Sequence, residues 1–209
     1  MAWKSAAFLR RAEREDLDTV VSWMEDPDFL RFLYGDAARS PKQIRENIVA
    51  MLGRTTGQTM PGGVYLLIDS KEDGPIGLIS LQNISWRNRS CSIDVYIGAK
   101  SMRAGMVAGV SWYRAMEYCF DELNLHRISA FIYEFNSASW RILERSGAKR
   151  EMTLQEHVAR DGKLYAMYCY GLLRDEFNAL REEVAGKLKG KSLAEMIAAQ
   201  RDEVAEPAS

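Results

Sequence analysis

The chain has 209 residues, of which 47% are hydrophobic and 27% charged, and its net charge is −1. This composition is typical of a soluble globular protein with one domain, or one domain and an appendage. The balanced charge and a pI near 6.2 give no electrostatic reason to bind nucleic acid or an anionic membrane. No apolar run approaches the roughly 20 residues of a membrane span, so we expect a cytoplasmic protein with neither kind of partner.

Three cysteines, Cys91, Cys119 and Cys169, lie far apart in the sequence. Disulfide formation would leave one thiol over, so a reducing compartment is the simpler interpretation. Neither His126 nor His157 lies at metal-ligand spacing from the cysteines, and we predict no metal site.

The first half of the chain predicts strands interrupted by helices. In residues 16–24 the apolar positions recur at helical spacing, and Ser40 followed by Pro41 is a typical start for a second helix. Residues 55–63 have the composition of a loop. The predicted strands of this half are residues 7–11, 64–68, 76–81 and 91–98.

The second half begins with a long helix, predicted over residues 105–123 because its apolar side chains fall on one stripe. The next predicted elements are a strand (128–133), a short helix (137–145) ended by Gly147, and a hairpin of two strands (149–158 and 164–171). Beyond Asp175 the chain is helical and charged. Strands in runs, with helices between them, predict a mixed α/β sheet.

The start of the long helix has the composition of a phosphate-binding segment. A helix N-terminus offers unpaired N–H groups and the positive end of the helix dipole. Small residues let a pyrophosphate approach the backbone, and Arg103 adds a charged contact. The arrangement suits a phosphorylated thioester such as acetyl-CoA, although close packing alone would also explain the small residues. The residues concerned are Arg103, Ala104, Gly105, Met106, Val107, Ala108 and Gly109.

Six segments stand out in combination: LRRAEREDLDTV, LNLHRI, EFNSAS, LERSGAKRE, EHVARDGK and YGLLRDEF. Together they resemble the GNAT acyltransferases over roughly residues 7–178. The resemblance is strongest to the Rim-type branch, which acetylates the N-termini of ribosomal proteins, and to similar amino-sugar and polyamine acetyltransferases. It implies the GNAT fold (α/β, or α+β), a mixed and mostly antiparallel twisted sheet flanked by helices. We expect this domain over residues 1–178 and a helical C-terminal extension over 179–209.

The resemblance also implies an activity: transfer of an acetyl group from the co-substrate acetyl-CoA to a primary amine, which attacks the thioester directly. Arg103, Met106 and Ala108 match the family positions that grip the CoA pyrophosphate, with Met106 where glycine is usual. The backbone N–H groups of the strand from Tyr96 through Ile97 to Gly98 are expected to polarise the thioester carbonyl. A non-catalytic acyl-CoA-binding or partner-binding protein on the same fold is the alternative.

The leaving thiolate needs a hydrogen-bond or proton donor. Many GNAT enzymes use a tyrosine whose position is Leu143 here. The Rim-type branch instead has an asparagine followed three residues later by a serine, which matches Asn136 and Ser139. We expect Ser139 to serve the thiolate and Asn136 to bind the pantetheine arm; the alternative is that both residues only cap a helix.

The proton acceptor is less defined by the sequence. An α-amino group is roughly a tenth neutral at pH 7, whereas a lysine amine is neutral only about once in 2,500. The identity of the amine substrate therefore decides how strong a base is needed. Asp94 and Glu134 are the candidate carboxylates. Strand alternation puts Asp94 on one face with Tyr96 and Gly98, toward the expected cleft, although a solvated or paired carboxylate is an equal alternative.

The acceptor amine stays open between a protein N-terminus, an amino sugar and another small molecule such as a polyamine. Tyr133, Phe135, Tyr165 and Tyr168 are expected either to wall its pocket or to belong to the core. The tail from residue 179 to 205 carries a capping box at Ser192, and we expect it to dock on its own domain or on a second subunit, with a homodimer favoured.

Overall fold

The computed structural model describes residues 7–27, 42–43, 45–46, 49–50, 60–70, 73–98 and 106–188. The strands with described bounds are β1 (Phe8–Arg11), β2 (Val64–Ser70), β3 (Gly74–Ser85), β4 (Ser90–Ile97), β5 (Arg127–Tyr133), β6 (Lys149–Arg160) and β7 (Lys163–Leu173). The helices with described bounds are α1 (Leu17–Met24), α2 (Met106–Glu117), α3 (Ser137–Arg145) and α4 (Arg174–Leu188). Residues 42–43, 45–46 and 49–50 are also helical.

These strands form one mixed sheet in the order β1-β2-β3-β4-β5-β7-β6. Neighbouring strands are antiparallel except β4 and β5, which are parallel. A parallel pair needs a crossover connection, and α2 lies in that connection. The predicted GNAT architecture is therefore confirmed, including its mostly antiparallel sheet.

Alternate strand residues point to opposite sides of the sheet, so both faces carry apolar side chains. Helices cover both of these faces. The larger core lies on the face covered by α2, where Trp112 and Met116 pack with Ile79 and Ile93. The smaller core lies on the opposite face, where α1 packs its apolar stripe on Leu67 and its neighbours. Asp94 and Tyr96 of β4 alternate with Ile93, so they belong to the face that α1 partly covers.

Several boundaries differ from the sequence prediction. The long helix changes at Tyr118–Glu122 into one π-helical turn. The last hairpin is longer than expected, since Asp161 and Gly162 both adopt left-handed φ values and close it as a two-residue turn. Helix α4 runs without a break through the expected boundary after residue 178 and buries Phe177 in the core.

Some predictions lie outside the described residues: the helix start at Ser40, residues 55–59 of the loop, and the tail from residue 189, including Ser192. Among the described residues, no helix combines the length and hydrophobicity that a bilayer span requires.

Candidate active site

The cleft between β4 and β5 is the candidate site. The two strands pair only from Ser90–Ser92 against Arg127–Ser129, and beyond that point a cavity of about 320 Å³ lies between them. Among the described residues, helices α2 and α3 contribute the other walls. The lining residues are Ile93, Asp94, Val95, Tyr96, Ile97, Ala108, Trp112, Ala130, Phe131, Ile132, Asn136, Ala138, Ser139, Ile142 and Leu143.

The main-chain polar groups of β4 divide between its two sides. The N–H of Gly98 donates to the carbonyl oxygen of Ile76 at 2.8 Å, and the Tyr96 carbonyl lies against Gly77 of β3. Because hydrogen-bonding direction alternates along a strand, Tyr96 and Gly98 bond toward β3, whereas Val95 faces the cleft. The N–H groups of Tyr96 and Gly98 therefore point away from the cleft, which is unfavourable for their predicted carbonyl-polarising role. Ile97, the middle residue of that predicted segment, alternates with them and lines the cavity.

The opposite wall follows the same rule. The N–H of Glu134 donates to the carbonyl oxygen of Ala166 at 2.9 Å. By alternation, the main-chain N–H and C=O groups of the even-numbered residues of β5 also point toward β7. The main-chain groups of Phe131 and Tyr133 consequently face the cleft. Both walls thus present N–H and C=O groups beyond the last β4–β5 pair, an arrangement that an extended chain of amides can use.

The end of β4 is fixed by an aromatic contact that sequence reasoning missed. A Cβ atom on Gly98 would lie 2.3 Å from the indole ring of Trp23, so the ring rests directly on the glycine. The Trp23 and Tyr96 rings are 6.5 Å apart, and the Tyr96 hydroxyl donates to the Trp23 carbonyl at 3.5 Å. No local signal links positions so distant in sequence; glycine thus serves close packing here.

Helix α3 brings Asn136 and Ser139 to the cavity wall. The Oδ1 atom of Asn136 accepts a hydrogen bond from the Ser139 N–H at 3.4 Å, so Asn136 caps this helix. Both residues also line the cavity. Capping by Asn136 therefore does not exclude a role of either residue toward a ligand.

A buried polar bridge ties α3 to α2 behind the cavity. The indole N–H of Trp112 donates to the Ser146 hydroxyl at 2.9 Å, and that hydroxyl donates to the Leu143 carbonyl at 2.7 Å. The Leu143 side chain is only 3% exposed and lines the cavity. At this position, where many relatives have tyrosine, the wall is apolar.

Asp94 is the carboxyl group in the cavity wall. Its Oδ2 atom accepts a hydrogen bond from Gln82 Nε2 at 3.1 Å. Burial raises the pKa of Asp94 to about 6, because a half-buried carboxylate loses hydration. A carboxyl with such a pKa is largely ionised at neutral pH and can still accept a proton from a bound amine.

The other candidate acid–base residues lie elsewhere. Glu134 accepts a hydrogen bond from the Ala166 N–H through Oε2 at 3.0 Å, so its carboxylate joins β5 to β7. His126 precedes β5 and His157 is exposed on β6, and neither lines the cavity. Aromatic contacts join Tyr133, Phe135 and Tyr165 into one cluster, and Tyr168 packs separately on Trp140.

The predicted pyrophosphate segment is only partly described. Arg103, Ala104 and Gly105 lie outside the described residues. Helix α2 begins with Met106 and Val107, Ala108 of its first turn lines the cavity, and an added Cβ on Gly109 would meet nothing within 4 Å.

Comparison with known proteins agrees with this geometry. Residues 7–149 match the family model described as an acetyltransferase (GNAT) domain. The chain is 24% identical over 171 residues to p20 of Bacillus licheniformis, an uncharacterized N-acetyltransferase, covering 81% of this chain and 93% of that protein. It is 28% identical over 106 residues to YdaF of Bacillus subtilis, provisionally named a ribosomal N-acetyltransferase, covering 50% of this chain and 57% of that one.

Solved structures show the same fold. The spermidine N-acetyltransferase of Vibrio cholerae, crystallised with CoA and spermine, superposes with a TM-score of 0.73 at 21% identity, covering 83% of this chain and 98% of that one. The family match and these relatives support acetyl-CoA as the co-substrate and an amine as the acceptor. The chain belongs to the GNAT family and is an acetyl-CoA-dependent N-acetyltransferase.

Proposed function

We propose that the acceptor is a weakly basic primary amine, such as a protein N-terminus or an amino sugar, which reaches the thioester from the Asp94 side of the cleft. The observation that carries this proposal is the Asp94 carboxyl in the cavity wall, with a pKa raised by burial to about 6. A group of this kind suits an amine that loses its proton easily.

The size of the proton-transfer cost favours such an acceptor. An α-amino group has a pKa of about 8, so transfer of its proton to a group of pKa about 6 costs roughly 3 kcal/mol. A lysine amine, with a pKa near 10.4, would cost about 6 kcal/mol. The difference of roughly 3 kcal/mol corresponds to about a hundredfold in rate.

Each group at the cleft has a place in the transfer. Asp94 first accepts the proton of the ammonium form, so that the neutral amine nitrogen can bond to the thioester carbon while the Val95 N–H donates to the oxygen that gains negative charge. The carbon–sulfur bond then breaks, the Ser139 hydroxyl donates a hydrogen bond to the leaving thiolate, and the second amine proton passes to the thiolate sulfur. The main-chain groups of Val95, Phe131 and Tyr133 match the amides of a pantetheine arm, so the cleft fits the co-substrate.

The family match and the named relatives favour an active enzyme over a non-catalytic acyl-CoA-binding protein. Two positions nevertheless depart from the pattern that the resemblance implies. The wall beside Ser139 is apolar at Leu143, where many GNAT enzymes have a phenolic donor, and Met106 stands where glycine is usual. Both departures predict slower transfer.

Release of CoA thiol tests these proposals when N-terminal peptides, amino sugars, spermidine and a lysine side-chain amide are supplied at equal concentration. We expect the highest kcat/KM with a peptide or a sugar, and a loss of about 100-fold or more in Asp94→Asn. Higher turnover of spermidine or lysine would overturn the weak-amine proposal. Calorimetric binding of CoA without thiol release from any acceptor would contradict the transferase activity.

We also propose a cytoplasmic homodimer. The described cysteines Cys91, Cys119 and Cys169 are free and buried, which suits a reducing compartment. Light scattering on the full chain tests the assembly: twice the mass of the 23.7 kDa chain is expected, and a monomer mass would contradict the dimer.

A further inference from the structure

Gln82 of β3 lies beside Asp94 on the same face of the sheet. The register pairs Ser80 with Asp94 and Gln82 with Ser92, so Gln82 is the diagonal neighbour of Asp94. Its Nε2 atom donates to Asp94 Oδ2 at 3.1 Å and to the Ser80 hydroxyl oxygen at 3.0 Å. One amide nitrogen therefore bridges the carboxylate and a fixed point on its own strand.

This bridge restrains the carboxylate. An amide NH₂ group has two donors, and here one goes to Ser80 while the other goes to Asp94. The carboxylate is thereby held by one oxygen, and Oδ1 is left for another donor. The Gln82 side chain is exposed. Its effect on Asp94 therefore comes from its hydrogen bonds and not from packing.

We propose that Gln82 is a positioning residue that holds Oδ2 of Asp94 so that Oδ1 meets the amine in the cleft. The inference rests on the proposed role of Asp94 as proton acceptor. A hydrogen bond donated to a carboxylate favours its ionised form, so Gln82 also keeps Asp94 able to accept a proton at lower pH.

The other described side chains near Asp94 allow the effect of Gln82 on the ionisation of Asp94 to be measured. Among the described residues, Tyr96 is the titratable side chain on the same face of β4. Strand β5 presents Ser129, Phe131 and Tyr133 to this face, together with Arg127, which is paired with Glu151. Helix α1 packs beside Tyr96 through Trp23. The charged residues at the start of α1 are paired elsewhere, Asp16 with Arg10 at 2.7 Å and Asp18 with Arg45 at 2.5 Å.

The pH dependence of kcat/KM tests the proposal on the full chain, with the best amine acceptor of the panel. Gln82→Met removes the donor at similar volume, and we expect the acidic limb of the profile to move up by about 0.5–1 pH unit. Gln82→Glu places a second carboxylate beside Asp94 and is expected to move it by about 1 unit or more. Gln155→Met, on the exposed face of β6, serves as the matched control and should leave the profile in place.

The outcomes separate this inference from the proposed function. An acidic limb that persists in Asp94→Asn would show that another group is the proton acceptor, and both proposals would fail. A limb that disappears in Asp94→Asn but is unmoved in both Gln82 variants would overturn only the role of Gln82. A KM change without any pH shift would likewise assign Gln82 to substrate contact and not to positioning of Asp94.

Discussion

The two halves of the β4–β5 pair differ although they belong to the same strands. In the first half, Ser90–Ser92 pairs with Arg127–Ser129 in a parallel ladder. In the second half the strands separate, and the cavity with Asp94 lies between them. The comparison shows that the reactive cleft is an interruption of the sheet and not a pocket added to its surface.

The outer neighbours of each strand explain the difference. At the paired end, the Arg89 carbonyl oxygen accepts hydrogen bonds from the N–H groups of both His126 and Arg127, which join the two strands. At the open end, Gly98 bonds to β3 and packs under Trp23, while Glu134 bonds to β7 through its main chain and side chain. Each strand is thus held away from the other.

The largest effect is expected from adding a side chain at Gly98, directly under the indole ring of Trp23. Gly98→Val would put side-chain atoms where the indole lies, since even a Cβ would be 2.3 Å from it. We expect a loss of about 3 kcal/mol in the free energy of unfolding, as for other overpacked sites, together with at least about a 10-fold drop in kcat/KM. Urea unfolding and the thiol-release assay measure the two effects.

Gly186→Ala is the matched control for that variant. Gly186 is exposed in α4 and has nothing within 4 Å of an added Cβ. Because alanine favours helices over glycine, the change should stabilise the protein by about 0.5–1 kcal/mol. Equal unfolding curves for Gly98→Val and the unaltered protein would show that Trp23 does not hold the end of β4.

A smaller effect is expected from cutting the bridge between α2 and α3. Ser146→Ala leaves the buried indole N–H of Trp112 without its acceptor, which costs about 1–3 kcal/mol. Ser22→Ala is the control, because the Ser22 hydroxyl bonds to the Thr19 carbonyl on an exposed helix surface. Thermal melts that show equal losses for the two variants would contradict a special role of the bridge.

The smallest effect has the opposite sign. Burial raises the pKa of Asp94 from its ordinary value of 3.8 to about 6. The folded protein therefore loses stability as the pH rises from about 3.8 to about 6, and this loss is absent at lower pH, where the carboxyl is protonated in both states. Asp94→Asn should therefore raise the free energy of unfolding by about 1 kcal/mol at pH 7.5 and much less at pH 4.

The exposed turn variant Asp161→Asn provides the comparison and should change stability by less than about 0.5 kcal/mol at either pH. Destabilisation of Asp94→Asn at pH 7.5 would mean that the carboxylate stabilises the fold, which is the opposite of the predicted sign.

Much of the architecture could be predicted from local patterns. The helix at Ser137–Arg145 has the predicted bounds because an asparagine cap and a left-handed Gly147 mark its ends. The apolar stripe of α2 is buried as its spacing indicates. The family motifs then supplied the antiparallel order of the sheet and the residues Asn136 and Ser139.

The parts that escaped prediction depend on long-range contacts. The contact of Trp23 with Gly98 and the hydrogen bond from Gln82 to Asp94 join residues that only the folded sheet brings together. Which N–H groups face the cleft depends on which residues of β4 direct their main-chain groups toward β3. Strand alternation indicates the face of each side chain but not the direction of its main-chain groups, which is why the predicted segment includes Tyr96 and Gly98, whose N–H groups point toward β3.

Amide hydrogen exchange, followed by NMR with and without saturating CoA, tests most directly whether the open half of the β4–β5 pair holds the co-substrate. We predict that Val95, Phe131 and Tyr133, whose main-chain groups face the open half, become protected by about 10-fold or more, while Cys91 and Ile128 in the paired half change little. CoA binding that leaves Val95 and Phe131 unprotected, or that protects both halves alike, would contradict this prediction.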